Sequence, residues 1–267
     1  MIVEAAEVIT VNLDTNDLHA TREVKTVSRP GKGAQASGSA MFNDRDPLYG
    51  SATEFWYVSA RHAFKYAGAA AAPAQLKQTE ESIVIGDEIV FEQDSQNLTA
   101  AGHVETTFTL VTDGTATAEP PKRYHATAAS MAYDDARHTA TYRGNLAVLK
   151  EPDGETTAEV IVLSLASAGR SLERLEATGR VRSSLAGGRQ ALGDRLAYET
   201  AKDVYMLWGK PLTLWTKDDD GTCSSQTGNY VSFAGDTGAP NFPGTQNPGG
   251  APLSSKQPCP AFLAPKK

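Results

Sequence analysis

The sequence predicts an all-β protein built from repeated antiparallel β-hairpins. Three observations predict it. One spacing of apolar residues recurs six times. A glycine recurs at a fixed place within that spacing. No segment of helical period and useful length interrupts the pattern; Ala67–Leu76 is alanine-rich but carries Gly68 and Pro73 and reads as a loop.

The repeat is clearest over Met131–Leu146, with apolar Met131, Tyr133, Ala140, Tyr142 and Leu146 and with Gly144 between the last two. A shift of 76 residues places Phe55, Tyr57, Phe64, Tyr66, Gly68 and Ala70 on the same positions. The Ala-Arg-His of the turn recurs as well, at Ala60–His62 and Ala136–His138. Further copies run Ile89, Phe91, Leu98, Ala100, Gly102, Val104 and Leu196, Tyr198, Tyr205, Leu207, Gly209, Pro211. A fifth runs Ile9, Val11, Leu18, Ala20, Val24, with Arg22 in the glycine place. The sixth, from Ile161 and Leu163 to Leu175, Ala177, Gly179 and Val181, has a middle five residues longer. Elsewhere the second apolar residue and the glycine position lie 11 apart in every copy.

Apolar residues two apart mark a strand with one buried face. The stretch that follows is polar and turn-prone: Asp14–Asp17, Asp94–Asn97, Asp134-Asp135. Alternation then resumes, so each copy reads as a hairpin with one apolar face. A glycine within the second strand marks a bulge or bend. Repeated at one height, it would fold the stack over a common interior. The glycine positions lie 46, 34, 42, 35 and 30 residues apart, a spread that loops between antiparallel hairpins tolerate.

Domain organisation follows. Residues 1–235 form the repeat region of six hairpins, readable as two tandem sub-modules joined near 110–126. Connectors run over Ser28–Gly50 and Asp113–Arg123. From 236 to 267 the chain is rich in proline and glycine, with seven of its fourteen prolines between Pro240 and Pro265, and is expected to be a disordered tail.

The net charge of −7 argues against nucleic-acid binding, which needs a basic face. No run of about 18 apolar residues is present to span a bilayer as a helix. The N-terminus, MIVEAAEVITVNL, reads at once as strand, so an export signal or anchor is expected upstream of Met1. Cys223 and Cys259 fit no zinc or redox spacing; they are two unrelated thiols or one disulfide of an oxidising compartment.

The strand ending Tyr133-Asp134, the short turn and Ala140-x-Tyr142-x-Gly144-Asn145 together resemble the repeat of the OstA-like (LptA/LptC) periplasmic lipopolysaccharide-transport family. Leu172–Val181 and Ala191–Glu199 are similar to further elements of that family, and the resemblance covers about Ile9–Phe233. Arg22 and the longer sixth hairpin depart from it. The resemblance implies an antiparallel β-jelly-roll folded into a taco shape. It implies a periplasmic location, an apolar groove for the lipid A acyl chains of lipopolysaccharide, and stacking of β-jelly-roll modules by their edge strands.

The candidate lipid-binding residues share the inward parity: Ile89, Phe91, Val104, Met131, Tyr133, Tyr142, Leu146, Ile161, Leu163, Leu196, Tyr198 and Leu207. Small inward residues (Ala70, Ala100, Ala140, Ala177) would leave the room that a dry sandwich fills. No catalytic constellation, metal or cofactor is expected. The five histidines show no metal-ligand spacing, and Lys217–Gly221 lacks the later ligands of a calcium loop. The expected function is therefore a non-enzymatic lipopolysaccharide carrier. The rival is a structural or adhesive β-repeat with a closed core. A carbohydrate-active β-solenoid enzyme would need acidic residues clustered on one face, whereas here the aspartates fall in turns.

Overall fold

The computed structural model describes residues 1–5, 7–29, 41–42, 46–110, 121–152, 154–166, 171–217, 221–235, 238–243, 255–257 and 259. Its strands form one 17-stranded antiparallel sheet. The order is β1 (Ile2–Glu4), β2 (Val8–Val11), β3 (Leu18–Ser28), β4 (Leu48–Val58), β5 (Ala63–Ala67), β6 (Ala74–Thr79), β7 (Ser82–Gly86), β8 (Glu88–Glu92) and β9 (Leu98–Leu110). It continues with β10 (Lys122–Asp134), β11 (Thr139–Glu151), β12 (Gly154–Leu165), β13 (Leu172–Leu185), β14 (Arg189–Glu199), β15 (Val204–Lys217), β16 (Cys223–Ala234) and β17 (Ser255–Gln257).

The six copies of the repeat coincide with six hairpins, in register. Ile9 faces Ala20, Phe55 faces Tyr66, Ile89 faces Ala100, Met131 faces Tyr142, Ile161 faces Ala177 and Leu196 faces Leu207. The turns that close them use left-handed residues. His62 and His138 sit there at φ 44° and 51°, as does Asp203 at 49°, so the paired histidines belong to turn geometry.

Each hairpin extends past its glycine position into a second half-sheet. At that height the ladder slips, between Thr21 and Val24, Arg143 and Ala147, Thr178 and Val181, and Trp208 and Leu212. A bulge bends its strand and increases the twist. Repeated slips at one height crease the whole sheet into two legs. The second leg carries the repeat hairpins; the first carries the strand halves beyond the glycines. Pairs of left-handed residues make three of the creases: Arg22-Glu23, Gly102-His103 and Gly179-Arg180. Arg22 adopts φ 60° despite its side chain, which explains why glycine is replaceable there at a cost of about 1–2 kcal/mol.

β1 with β2, β5 with β6, and β7 with β8 are each one crossing interrupted at the crease, and β17 is a short addition. Among the described residues the chain thus crosses the crease thirteen times. β9 and β10 pair from Leu98–Tyr133 to Leu110–Lys122, so the sheet is continuous past 110–126 rather than divided there. Residues 113–120 of the expected connector lie outside the described residues, as do 30–40 and 43–45 of the earlier one.

Two inward expectations fail at the creases. Leu146 is 56% exposed, because 144–146 form the bulge of β11 and Ala147 takes the inward place. Ala70 is exposed in the turn between β5 and β6.

The core lies between the legs, and buried tyrosine hydroxyls bridge it. The Tyr66 hydroxyl of β5 meets Thr26 Oγ1 of β3 at 2.7 Å, and the Tyr142 hydroxyl of β11 meets Thr106 Oγ1 of β9 at 2.9 Å. Each reaches over an intervening strand. Gly50 of β4 pairs with Thr26 beneath the Tyr66 ring, and a Cβ there would collide with that ring. Ala126 of β10 holds the equivalent place opposite Thr106.

Tyr142→Phe strands the fully buried Thr106 hydroxyl, and should cost about 1–3 kcal/mol in urea denaturation. Adding Thr106→Val removes both polar partners and should recover part of that loss. Additive single-site effects would show that the bond does not couple the legs.

Candidate functional site

The sequence nominated the interior, and the structure fills it. Ile89, Phe91, Val104, Met131, Tyr133, Tyr142, Ile161, Leu163, Leu196 and Leu207 are all buried in one cluster that draws on both legs. Tyr198 is half-buried against that cluster and stacks on Tyr205 at 4.3 Å between ring centres. Leu146 stands apart on the outside. Ala100, Ala140 and Ala177 are buried too, so the room they leave is taken by neighbouring side chains. The expected acyl groove is therefore not open along the middle of the sheet.

The legs meet at their tips. Ser82, at the first-leg tip, donates to the Met41 carbonyl at 2.7 Å, and the adjacent Phe42 packs edge-on against Phe91 of the second leg. Farther along, Arg189 begins β14 at a first-leg tip. Its guanidinium donates to the carbonyls of Gly235 and Gly238, beyond the second-leg end of β16, at 2.8 and 2.6 Å. It also lies 4.6 Å over the Phe233 ring. These contacts close the mouth of the fold from both halves.

The two ends of the sheet differ. On β2, the inward residues Ile9 and Val11 are 45% and 49% exposed, because among the described residues β2 pairs only with β3. Met1, Ile2, Val8 and Leu13 add exposed apolar surface beside them. On β16, Val231 and Phe233 are 0% and 3% exposed. The following chain covers them. Asn241 exchanges two backbone hydrogen bonds with Ser232, Phe242 enters the core, and β17 pairs with Cys223–Ser225. Cys259 is joined to Cys223 by a disulfide, with Cα atoms 5.0 Å apart. Most of the expected disordered tail lies outside the described residues; its described parts are attached to β16.

The site is thus an apolar interior exposed at its first edge and covered at its last. Sequence reasoning placed the interior positions but missed this asymmetry. Ile9 and Val11 were legible as inward, and their exposure shows only in the structure. Nothing in the sequence singled out Arg189.

Other chemistry is sparse. No group of three or more metal-binding side chains occurs among the described residues, and 218–220 of the Lys217–Gly221 stretch lie outside them. A hollow of about 290 Å³ on the first leg is lined by Lys25, Tyr49 and Lys77, which alternate with inward Thr26, Gly50 and Leu76 and so belong to the outer face. Burial raises the hydroxyl pKa of Tyr66, Tyr142 and Tyr205 well above the ordinary tyrosine value; for Tyr205 the negative charge of Glu151 adds to it.

No protein-family profile matches this chain, and no curated protein matches it. Among solved structures, it is similar to the crystal structure of LptH, the LptA-homologous periplasmic component of the lipopolysaccharide transport device of Pseudomonas aeruginosa. The two are 17% identical, the match covers 51% of this chain and 95% of that one, and the TM-score is 0.37. A likeness of that degree carries no weight for function.

The three tyrosines set an alkaline limit. Their folded-state pKa values are raised, so they keep their protons where the unfolded chain, near its ordinary value of 10.0, gives them up. Stability should be steady below pH 9 and fall above pH 10, by up to about 1.4 kcal/mol per pH unit for each tyrosine. Urea midpoints at pH 9 and 11 measure the drop, and Tyr142→Phe should lessen it. An equal drop in that variant would assign the loss elsewhere.

Proposed function

We propose that this chain is a non-enzymatic periplasmic carrier module for lipopolysaccharide, which takes acyl chains into its apolar interior and passes them to a neighbouring β-module. The observation that carries the reading is the first edge, uncovered among the described residues. Ile9 and Val11 continue the inward apolar rows of β3 and β4 into solvent, where only an apolar ligand or another strand can cover them. Acyl chains suit that surface, at roughly 0.8 kcal/mol per buried methylene. An edge strand also suits a partner module that adds its own strand. Lipopolysaccharide, rather than another acylated lipid, rests on the likeness of the Tyr133–Asn145 hairpin to the OstA-like repeat. The Cys223–Cys259 disulfide fits an oxidising compartment.

Because the middle of the interior is filled, acyl chains enter at the first edge. They advance only where the contacts between the legs give way. The filled middle also favours a second reading, a structural β-repeat whose core stays closed and whose first edge serves protein contacts alone.

Photo-crosslinking separates the two. A crosslinking residue at Ile9 or Val11 should capture lipopolysaccharide from mixed micelles several-fold more than one at the exposed turn residue Asp135. Capture at Leu163 reports passage into the middle. Equal, background capture at Ile9, Val11 and Asp135 would discard the carrier reading in favour of the closed core.

A further inference from the structure

We infer that Asn241-Phe242, β17 and the disulfide-bonded Cys259 act as a built-in cap that removes β16 as a pairing edge and so limits strand-to-strand association of this protein to its first edge. The partner excluded is a second copy of the same chain, and the inference does not depend on the lipid reading.

Both ends of β16 are pinned. At the first-leg end, β17 occupies the outer side of Cys223, Ser224 and Ser225, tied there by the Cys223–Cys259 disulfide. At the second-leg end, Asn241 pairs with Ser232, and Arg189 holds the carbonyls of Gly235 and Gly238. Between the pins, no strand pairs on the outer side of residues 226–231 among the described residues. The cap therefore blocks an edge that would otherwise be available.

The direction of the strands makes the block consequential. Thirteen is odd, so β1–β2 and β16 run the same way, from the first-leg tips to the second-leg tips. A second copy set head to tail would meet β16 with its own first edge in parallel. Its Ile9 and Val11 would extend the inward row of Val231 and Phe233. Such a contact joins unlike surfaces, so each added copy presents a new edge and the assembly grows beyond two copies. With β16 capped, only two first edges remain to meet, and such a pair is complete at two chains.

Sedimentation velocity over a hundredfold concentration range, without lipid, tests this. The oxidised full chain should never exceed two copies. The full chain with Cys223→Ser and Cys259→Ser should grow beyond two copies as concentration rises. Adding Ile9→Lys and Val11→Lys should abolish that growth. Lys256→Pro, which disturbs β17 but keeps the disulfide, provides a second way to loosen the cap if the cysteine-free chain does not fold; circular dichroism and urea melts verify folding. Growth of the oxidised chain beyond two copies would overturn the inference. So would unchanged mass in folded, uncapped variants, or growth that persists with the first edge blocked.

Discussion

The rest of the fold depends on a hydroxyl reaching across the interior from one leg to the other. Tyr66 and Tyr142 each bond a threonine two crossings away, at Thr26 and Thr106. That reach needs a small residue on the strand between, and Gly50 and Ala126 supply it. It also needs the crease to bring the legs close, which the slipped registers at the glycine positions do. A buried hydroxyl left without a partner is costly, so the bond favours the closed arrangement over any in which the legs part. The 76-residue shift that relates Tyr66 to Tyr142 also relates Gly50 to Ala126. The structural unit is therefore two hairpins, or four crossings.

The third such unit departs from this arrangement. Leu207 stands where the hydroxyl would be, and Ser183 bonds Thr156 instead. Closure there passes to Arg189, which ties a first-leg tip to the chain beyond β16. The means of closing the legs thus changes along the sheet, from buried hydroxyls in the first two units to a cation in the last. The same change accounts for the unequal ends. β16 is covered by chain that follows it, while among the described residues β2 has only its own four residues and one neighbour.

Much of this was legible in the sequence. The spacing of Met131, Tyr133, Ala140 and Tyr142 encoded both the hairpin and its register, because a one-residue slip turns the apolar set to the other face and the short turn excludes larger slips. The glycine at the fixed place encoded the crease. What the spacing could not encode was parity beyond the crease. A bulge inserts residues without a partner, so Leu146 turned outward while Ala147 took its place. Nor could it show whether the interior was filled. Alanines at inward positions are compatible with a vacant groove or with large rings from neighbouring strands, and Tyr66 and Tyr142 reach far enough to give the latter. The Arg189 clamp joins residues 46 and 49 apart in sequence through a turn tip, where no periodicity applies.

A filled interior and an exposed first edge are compatible when the closed state is a resting state. One apolar cluster packs the legs together and the buried hydroxyls fix their spacing, so their separation is a quantity that can be read. Spin labels at Arg137 and Lys150, near the two ends of β11, report it by pulsed electron–electron distance measurement. In the free protein the distribution should be single and narrow, and Tyr66→Phe with Tyr142→Phe should broaden it towards longer distances. A broad distribution in the unsubstituted protein, or one that these substitutions leave unchanged, would contradict the claim that the buried hydroxyls hold the legs shut.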